Sequence, residues 1–529
     1  MSEQTALRTR LSLMCGEDVT VVAPSHDDEI LLIVPRDRLL STLTALRQEF
    51  ASVFVDLFGL DLRPQRGIFQ LHLISALDAE RVWLHCVIEL DDQTANFPGL
   101  SDLLPATGWY ERVVWEELGI GPHYHPLLRP LRLSPDWPES VYPAQEGFLW
   151  RARVPAIEPR FFALEAAPSG VVDYPLGPVR SGIVESGHYT LRTVGEELVD
   201  ILVQPFYKHR GIEQRAEEVP IEQVPLLAER ISGTSAFAHS LAFCQACERL
   251  AGIEIPVRAR FLRILFAELE RLYNHLGYHA DLCQATGLSV AQAQFDIWKE
   301  RVLRLNAHIS GHRYLFGVNI PGGLSRDLST DGQKAIRELV SSLRREMAGL
   351  GRQVLASPSH RDRLEHTGVL APEQAQEYCA VGPVGRASGR DRDLRRDHPY
   401  AAYAEMDMEI PVRQEGDALA RARICLDEIE QALYLIEQTL AQLRAGAIAT
   451  PLPPLPCGES SLGWAESARG ECLHWILVGE HGRLQRYRVR AASFANWQAF
   501  SLAIPGHNIL TDFPVIEQSF GLSFAGANG

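Results

Sequence analysis

The chain has 529 residues, and its 51 Lys and Arg against 67 Asp and Glu give a formal net charge of −16. A composition that is 46% hydrophobic and 22% charged is typical of a folded protein and excludes a disordered chain. The acidic balance argues against broad contact with nucleic acid and against direct docking on an anionic membrane surface. At usual domain sizes, this length predicts about three domains.

The sequence also constrains the cellular compartment. No stretch approaches the roughly 18 charge-free apolar residues that a membrane helix needs, and the first residues lack the apolar core of a signal peptide. Nine cysteines are too few for a disulfide scaffold in a chain of this size, and their number is odd. We therefore expect a cytoplasmic protein with reduced cysteines that reaches a membrane only through partner subunits.

Residues 1–140 show the mixed patterns of an α+β domain. Segment 29–37 (EILLIVPRD) predicts a strand, and segment 36–50 (RDRLLSTLTALRQEF) predicts a helix. Apolar residues alternate over 69–73 and again over 82–88, which predicts two further strands.

Two segments rich in turn-forming residues follow. Residues 107–138 are dense in aromatic residues, glycine and proline, and we expect a structured loop or a docking surface there. Residues 141–180 are proline-rich and predict a linker that crosses a surface.

From about residue 225 onward helical periodicity dominates, so we expect residues 181–529 to form a mainly α domain with small β elements. The amphipathic segments predicted as helices are 258–283, 292–316, 330–350 and 415–444. Helices of more than about 20 residues indicate a long helical bundle. Residues 472–494 predict a β-hairpin that turns at Glu480-His481-Gly482.

One CxxC motif, Cys244-Gln245-Ala246-Cys247, is open to two interpretations. It fits half of a metal site or a redox pair, but it lies among apolar residues at near-helical spacing. Buried free cysteine behaves as a small hydrophobic residue, and a second CxxC that would complete four ligands is missing. Core packing is therefore favoured over metal binding.

Polar and conformationally special residues cluster in loops that flank the predicted bundle, at 177–188, 207–213, 229–239, 466–471 and 512–526. Taken singly, these residues have ordinary structural interpretations. Glu185 and His188 fit a turn pair. Ser232 and Ser235 fit helix N-caps, and Arg469 fits a surface ion pair.

Taken in order, the motifs GPxxSG, ESGH, HRGIE, LERLYNHLG (269–277) and GPVGRASGRDRDLRRDHPYAAY (382–403) resemble the large-subunit family shared by NiFe hydrogenases and the D subunit of complex I. The likeness is in particular to the formate-hydrogenlyase, hydrogenase-4 component G-like type. The segment from Trp109 to Trp137 resembles the C subunit of complex I. The resemblance implies a C-like domain over 1–140, a linker over 141–180 and a D-like large-subunit domain over 181–529.

The sequence departs from that family at the metal ligands. Active hydrogenases of the family hold nickel and iron with two CxxC pairs, because soft thiolates suit these metals. The corresponding positions here are Ser232 and Ser235 near the start of a helix, and Ser523 and Gly526 near the end of the chain. We therefore predict no NiFe centre, no other bound metal and no hydrogen turnover by this subunit.

Two further family positions are kept. The resemblance assigns Glu185 to the proton-relay glutamate and Arg469 to the arginine suspended over the metal site. Glu185 with His188 nearby suits proton transfer near neutral pH, and Arg469 suits a contact with an anion. Glu185, His188 and Arg469 are therefore the candidate catalytic residues.

The same cavity binds the quinone headgroup in complex I, through a histidine in the first loop and a tyrosine near the helix start. Those positions fall at about Val184 and Gly233, so the standard quinone contacts are missing. His188, Tyr189 and His239 remain as alternatives among which the sequence does not select. The residues expected around the vacated metal or quinone cavity are Arg230, Ser232, Ser235, His239 and Ser523.

Two functional hypotheses follow from the resemblance. In the first, the chain is the soluble-arm subunit of a membrane-bound respiratory oxidoreductase. It then pairs with a 4Fe–4S small subunit of the kind found in complex I, and with antiporter-like and anchor membrane subunits. Electrons pass between that cluster and a quinone-like acceptor, coupled to ion translocation, without a cofactor bound securely by the chain itself. In the second, the chain is a non-catalytic structural or coupling subunit of such a complex.

Overall fold

The computed structural model describes residues 3–22, 26–92, 95–149, 151, 153–159, 168–180 and 185–527. The chain divides into two compact units, Met1–Ala166 with Glu377–Cys379, and Ala167–Gln376 with Ala380–Gly529. Within these described ranges, none of the helices is both long enough and apolar enough to cross a bilayer.

The first unit is built on a five-stranded mixed sheet with the order β1-β2-β5-β4-β3. Its strands are β1 Thr20–Val22, β2 Glu29–Ile33, β3 Val53–Leu62, β4 Ile68–Leu77 and β5 Val82–Asp91, followed by the short pair β6 Asn96–Pro98 and β7 Gly121–His123. Its helices are α1 Glu3–Cys15, α2 Leu39–Phe50, α3 Arg63–Arg66 and α4 Gly108–Leu118. Strands β2 and β5 pair in parallel, and the other neighbours in the five-stranded sheet pair antiparallel.

The sequence prediction for this unit holds for β2, β4, β5 and α2, but it misses β3, and of its two alternatives for residues 107–138 the loop is wrong over 108–118. Those residues form α4 rather than a loop. Close approach of this helix to the sheet depends on Gly59 of β3, where a Cβ atom would lie 2.5 Å from the Leu118 side chain.

Buried polar side chains of α4 order the segment that follows it. The Arg112 guanidinium donates to the carbonyl oxygens of Arg129 and Pro130, at 2.8 and 2.9 Å. The Glu116 carboxylate accepts from the backbone N–H groups of Leu131 and Arg132, at 2.7 and 2.9 Å. These bonds satisfy charges that would otherwise be costly to bury, which is why this proline-rich stretch has a defined path.

The second unit is mainly helical with small antiparallel sheets. Its helices are α5 Ile212–Glu218, α6 Val224–Ala228, α7 Ala236–Leu250, α8 Val257–Ala285, α9 Ser289–Ser310, α10 Thr330–Ala356, α11 Pro358–Leu364, α12 Pro372–Glu377, α13 Gly382–Ala387, α14 Leu394–Asp397, α15 Ala418–Gln442, α16 Ala492–Leu502, α17 Phe513–Phe520 and α18 Phe524–Ala527. Its strands are β8 Val172–Leu176, β9 His188–Val194, β10 Glu197–Gln204, β11 Asn319–Ile320, β12 Gly323–Leu324, β13 Ser460–Ser467, β14 Gly470–Val478 and β15 Leu484–Arg490.

The four long helices α8, α9, α10 and α15 confirm the predicted bundle, and β14 with β15 confirms the predicted hairpin. Helix α9 ends six residues before its predicted limit, because Gly311 adopts a left-handed conformation (φ 85°) that stops it at Ser310. The fold class predicted from the sequence, an α+β region followed by a mainly α large-subunit region, is therefore confirmed.

Helix α7 lies directly on the β13–β14 sheet. A Cβ atom at Gly463 of β13 would lie 2.0 Å from the Ala242 carbonyl oxygen, so only glycine permits this approach. Cys244 and Cys247 of the CxxC motif are fully buried in this helix. Cys247 belongs to an apolar cluster with Phe243 and Tyr487, as the core-packing interpretation predicts.

Candidate functional site

A cavity of about 470 Å³ opens in the second unit, beside one face of α8. Asn274, His275, Tyr278 and Asp281 line it, at spacings that place them on one side of a helix. The other walls come from α13, α15, α17, the turn between β13 and β14, and the residues around Glu185 and Ser523. A volume of this size is within the range of small-molecule sites.

Three of the four positions that correspond to metal ligands meet at one end of this cavity. The Ser232 hydroxyl donates to the Ser523 hydroxyl at 3.3 Å, and the Gly526 N–H donates to the same Ser523 oxygen at 2.9 Å. Ser235 is buried at the N-cap position of α7, but its hydroxyl makes no capping bond. The sequence motifs therefore converge in space, as their order implied.

Glu185 contacts the Ser523 hydroxyl directly. Its carboxylate accepts from the Ser523 hydroxyl at 3.1 and 3.2 Å and from the Ala525 N–H at 3.0 Å. The loop that carries it packs closely, since a Cβ atom at Gly187 would lie 1.8 Å from the Phe524 ring. The glycine of the ESGH motif thus brings Glu185 to the chain end.

Arg469 lies in the tight turn between β13 and β14 and lines the same cavity. Its Nε–H donates to the Thr234 hydroxyl at 3.1 Å. Among the described residues, no carboxylate oxygen comes within 4 Å of its guanidinium. Burial lowers the pKa of Arg469, while the Glu185 and Asp281 carboxylates oppose this effect. The cavity therefore contains a cation that is not committed to an ion pair.

His275, which the sequence interpretation did not single out, also lines the cavity wall. Its Nε2 atom lies 2.7 Å from Oε2 of Glu428 in α15. Tyr278, one turn further along α8, donates its hydroxyl to the Ser519 carbonyl oxygen at 3.0 Å. The only available signal for His275 was its place in the LERLYNHLG motif, which fits a packed helix equally well.

Three other predicted site residues lie away from the cavity lining. His188 begins β9, with Nε2 3.4 Å from the Thr190 hydroxyl. Arg230 is half exposed, with its guanidinium over the Phe316 ring. His239 is buried in α7 and bonds His474 at 2.9 Å between ring nitrogens.

The alternative quinone positions also have defined surroundings. Tyr189 is buried and donates its hydroxyl to Glu517 at 2.9 Å. Gly233 is exposed, and Val184 lies outside the described residues. Of the candidates named from the sequence, Glu185, Ser523 and Arg469 line the cavity.

The donor set at these positions does not fit a nickel–iron centre. Serine hydroxyls are hard, weakly acidic donors, and Gly526 offers no side chain, whereas such a centre needs soft thiolates. The one thiol among the described lining residues is Cys425. Burial raises the pKa of this thiol well above its usual value, which disfavours the thiolate form.

Family comparisons place the chain among proteins of respiratory complexes. Residues 32–154 match the respiratory-chain NADH dehydrogenase 30 Kd subunit, and residues 292–456 match the respiratory-chain NADH dehydrogenase 49 Kd subunit. Formate hydrogenlyase subunit 5 of Escherichia coli (strain K12) is 32% identical over 466 residues, which cover 87% of this chain and 82% of that protein. The fused C/D protein of the NADH-quinone oxidoreductase of Chromohalobacter salexigens is 25% identical over 93% of this chain and 92% of that protein.

A solved structure supports the same assignment. A chain of the membrane-bound sulfane sulfur reductase, described as an archaeal respiratory membrane complex, matches with a TM-score of 0.65 and 27% sequence identity. The match covers 68% of this chain and 99% of that one. The protein therefore belongs to the large-subunit family shared by complex I and formate hydrogenlyase, with a 30 Kd-type region ahead of its 49 Kd-type region.

Proposed function

We propose that this chain is the soluble-arm subunit of a membrane-bound, complex I-like oxidoreductase, and that its cavity binds a quinone-like electron acceptor. Electrons come from a 4Fe–4S cluster in a partner protein, and their transfer is coupled to ion translocation by membrane subunits. The chain sits on the cytoplasmic face through those partners. It acts without a nickel–iron centre of its own, since hydroxyl groups and a glycine stand at the ligand positions.

One observation carries this proposal. The guanidinium of Arg469, which has no ion pair within the described ranges, and the carboxylate of Glu185 share a cavity large enough for a quinone headgroup. Reduction of a quinone consumes two electrons and two protons and passes through states with negative charge on oxygen. A fixed cation stabilises such charge most strongly where water is excluded, and a nearby carboxyl group is suited to supply a proton.

The names of the relatives agree with this proposal. The matched C/D proteins belong to NADH-quinone oxidoreductases, and the matched structure belongs to a respiratory membrane complex. Because the formate hydrogenlyase relative is named for another reaction, family membership alone does not choose the acceptor. The chemistry of the cavity favours a quinone-like molecule over hydrogen.

The test uses the complete complex purified from membranes, with reduced methyl viologen as donor and 2,3-dimethyl-1,4-naphthoquinone as acceptor. We expect quinone-dependent electron transfer that falls at least tenfold in Glu185→Gln and in Arg469→Gln. The control Arg344→Gln removes a half-exposed arginine outside the cavity lining and should stay within twofold of wild type.

Three results would contradict the proposal. The first is no quinone-dependent transfer by the wild-type complex. The second is stoichiometric nickel in the purified chain. The third is unchanged activity in both variants with loss of assembly on removal of residues 1–140, which would favour the non-catalytic coupling role instead.

A further inference from the structure

His275 occupies an unusual position for a buried histidine, because it belongs both to the cavity wall and to a buried group of charges. Its side chain is about 3% exposed and lines the cavity. Its Nε2 atom contacts the Glu428 carboxylate at 2.7 Å. The carboxylate acts only as an acceptor when ionised, so Nε2 carries the hydrogen and Nδ1 keeps the lone pair in the neutral ring.

Glu428 is held ionised by the charges behind it. Its carboxylate contacts Arg271 at 3.1 Å and makes a shorter contact with Arg386. Burial opposes ionisation, but Arg386, His275 and Arg271 together hold the pKa of Glu428 well below its usual range. The residue is therefore a fixed negative charge placed directly against the imidazole.

The charges continue away from the cavity as a connected cluster. Arg386 also contacts Asp393 and Glu466, both at 3.2 Å. Arg395 contacts Asp393 at 2.8 Å and Glu268 at 3.2 Å, and Glu268 contacts Arg271 at 3.2 Å. We call these seven residues, which include Glu428, the buried ion cluster. Its side chains are 0–2% exposed, so the cluster has a fixed geometry.

The groups that face His275 come from several elements. Arg271 and His279 lie one turn away on α8, Glu428 comes from α15 and Arg386 from α13. Asp281 lines the cavity from the same helix, and Glu185 and Arg469 line it from other segments. Burial, assisted by Arg271 and Arg386, lowers the pKa of His275, and Glu428 opposes this effect. Burial therefore favours the neutral imidazole, and Glu428 favours the protonated one.

We propose that His275, oriented and charge-balanced by Glu428, is a proton-exchanging residue of the cavity, with the buried ion cluster as its fixed support. This inference rests on the proposed function. When a quinol is oxidised, one O–H bond of the bound molecule breaks and one N–H bond forms on the imidazole. The proton of the second O–H bond goes to the Glu185 carboxylate, and the two electrons leave one at a time to the 4Fe–4S cluster of the partner protein. On quinone reduction the same proton returns from the imidazolium to the oxygen.

The number of protons in the reaction agrees with two proton-exchanging residues on the cavity wall. A quinone takes up two protons, and Glu185 provides one ionisable group on the cavity wall. His188, which the sequence offered as its companion, lies outside that wall. Asp281 and Glu517 also line the wall, but His275 is the lining imidazole, and Glu428 balances the positive charge that its ring gains. A carboxylate that holds an imidazole in this way is a recurring catalytic arrangement.

The first test measures kcat and KM against pH for reduction of 2,3-dimethyl-1,4-naphthoquinone by the purified complex. We expect His275→Gln to lower kcat at least tenfold with KM within threefold, and added imidazole to restore part of the rate. The matched control is His279→Gln, since His279 is equally buried one turn further along α8 but does not line the cavity. A His275→Gln profile that equals wild type at every pH would overturn the inference.

The second test needs no turnover and separates this inference from the proposed function. Hydrogen exchange at the histidine C2 position, followed by mass spectrometry of the complete complex, gives the pKa of each histidine. Removal of the cavity cation in Arg469→Gln should raise the pKa of His275, because a positive charge on the same cavity wall is lost, and should leave that of His279 unchanged. This result would support His275 even if the wild type transfers no electrons to the naphthoquinone. An unchanged pKa of His275 would show that it does not sense the cavity, and would overturn the inference.

Discussion

Two groups of charged side chains lie next to His275, and they differ in how their charges are paired. In the buried ion cluster, Arg271, Arg386 and Arg395 each contact two or more carboxylates. In the cavity, Arg469 contacts a hydroxyl, and among the described residues Glu185 accepts only from a hydroxyl and a backbone N–H. Paired charges fix the positions of helices, whereas unpaired charges remain available to a ligand. Stability and binding should therefore respond to different residues.

The largest expected effect comes from breaking the buried ion cluster. Glu428→Gln removes the carboxylate that faces Arg271, Arg386 and His275, and it leaves two buried guanidinium groups with reduced compensation. The expected loss of unfolding free energy is about 3–5 kcal/mol. Urea denaturation of the full chain, followed by circular dichroism, measures it.

The control lies two and a half turns further along the same helix. Glu437 pairs with Arg344 at 2.8 Å, and both side chains are about 40% exposed. Exposed pairs contribute little, so Glu437→Gln should change stability by less than about 1 kcal/mol. Equal losses in the two variants would mean that the buried ion cluster is no more important to the fold than a surface pair.

A second prediction concerns the backbone contact that joins the two groups. Gly382, at the start of α13, has φ 63°, and a Cβ atom there would lie 2.4 Å from the Arg469 carbonyl oxygen. Gly382→Ala forces this contact apart and strains the backbone, at a cost of about 3 kcal/mol. The variant should also lose quinone reduction, because the turn that carries Arg469 moves.

Gly233→Ala is the matched control for that substitution. Gly233 precedes Thr234, which lines the cavity, and a Cβ atom at Gly233 would meet nothing within 4 Å. We expect its thermal midpoint to stay within a few degrees of wild type. If Gly382→Ala were as well tolerated as Gly233→Ala, the Arg469 turn would not depend on this contact.

Much of the fold could be predicted from the sequence, because the long helices carry an uninterrupted apolar face. Helix α8 is the clearest case, with Phe261, Leu265, Leu269 and Leu272 on one side. The sequence does not predict helix α4, because Glu111, Arg112 and Glu116 are buried. Charged residues therefore stand on the buried face, where the periodicity of an amphipathic helix requires apolar ones. Their role becomes clear only when their backbone partners are known, which lie before the helix for Glu111 and after it for Arg112 and Glu116.

The candidate site was predictable only in part, for a related reason. The motif order brought Glu185, Arg469, Ser232 and Ser523 together, and the structure places them close in space. His275 gave no comparable signal, since its partner Glu428 lies 153 residues away in the sequence. Local periodicity records that a helix face is buried, but it does not record whether that face meets a core or a cavity.

A third prediction concerns the loss of stability in acid and involves His239, a buried histidine outside both groups of charges. Burial lowers the pKa of His239 to about 3, while in the unfolded chain it is about 6.5. As the pH falls below 6.5 the unfolded chain takes up a proton that the folded chain does not, so stability is lost. Between pH 6.5 and 5 this histidine accounts for a loss of about 2 kcal/mol.

The variant His239→Gln should therefore lose less stability than wild type over that interval, by about 2 kcal/mol. Urea denaturation at the two pH values measures the difference. His308→Gln serves as the control, since His308 is more than half exposed, and it should keep the wild-type pH dependence. A wild-type pH dependence in His239→Gln would mean that other groups cause the acid sensitivity.

The last prediction concerns Arg469, for which we expect a small effect on stability and a large effect on function. Arg469 contributes no ion pair closer than 4 Å among the described residues, and burial of its charge is itself unfavourable. Arg469→Met keeps the bulk of the side chain while it removes that charge. We expect its unfolding free energy to stay within about 1 kcal/mol of wild type, whereas quinone reduction falls at least tenfold. A loss of stability as large as that of Glu428→Gln would show that Arg469 is a structural cation after all. The cavity would then hold no free positive charge for a ligand, and the contrast between its charges and those of the buried ion cluster would disappear.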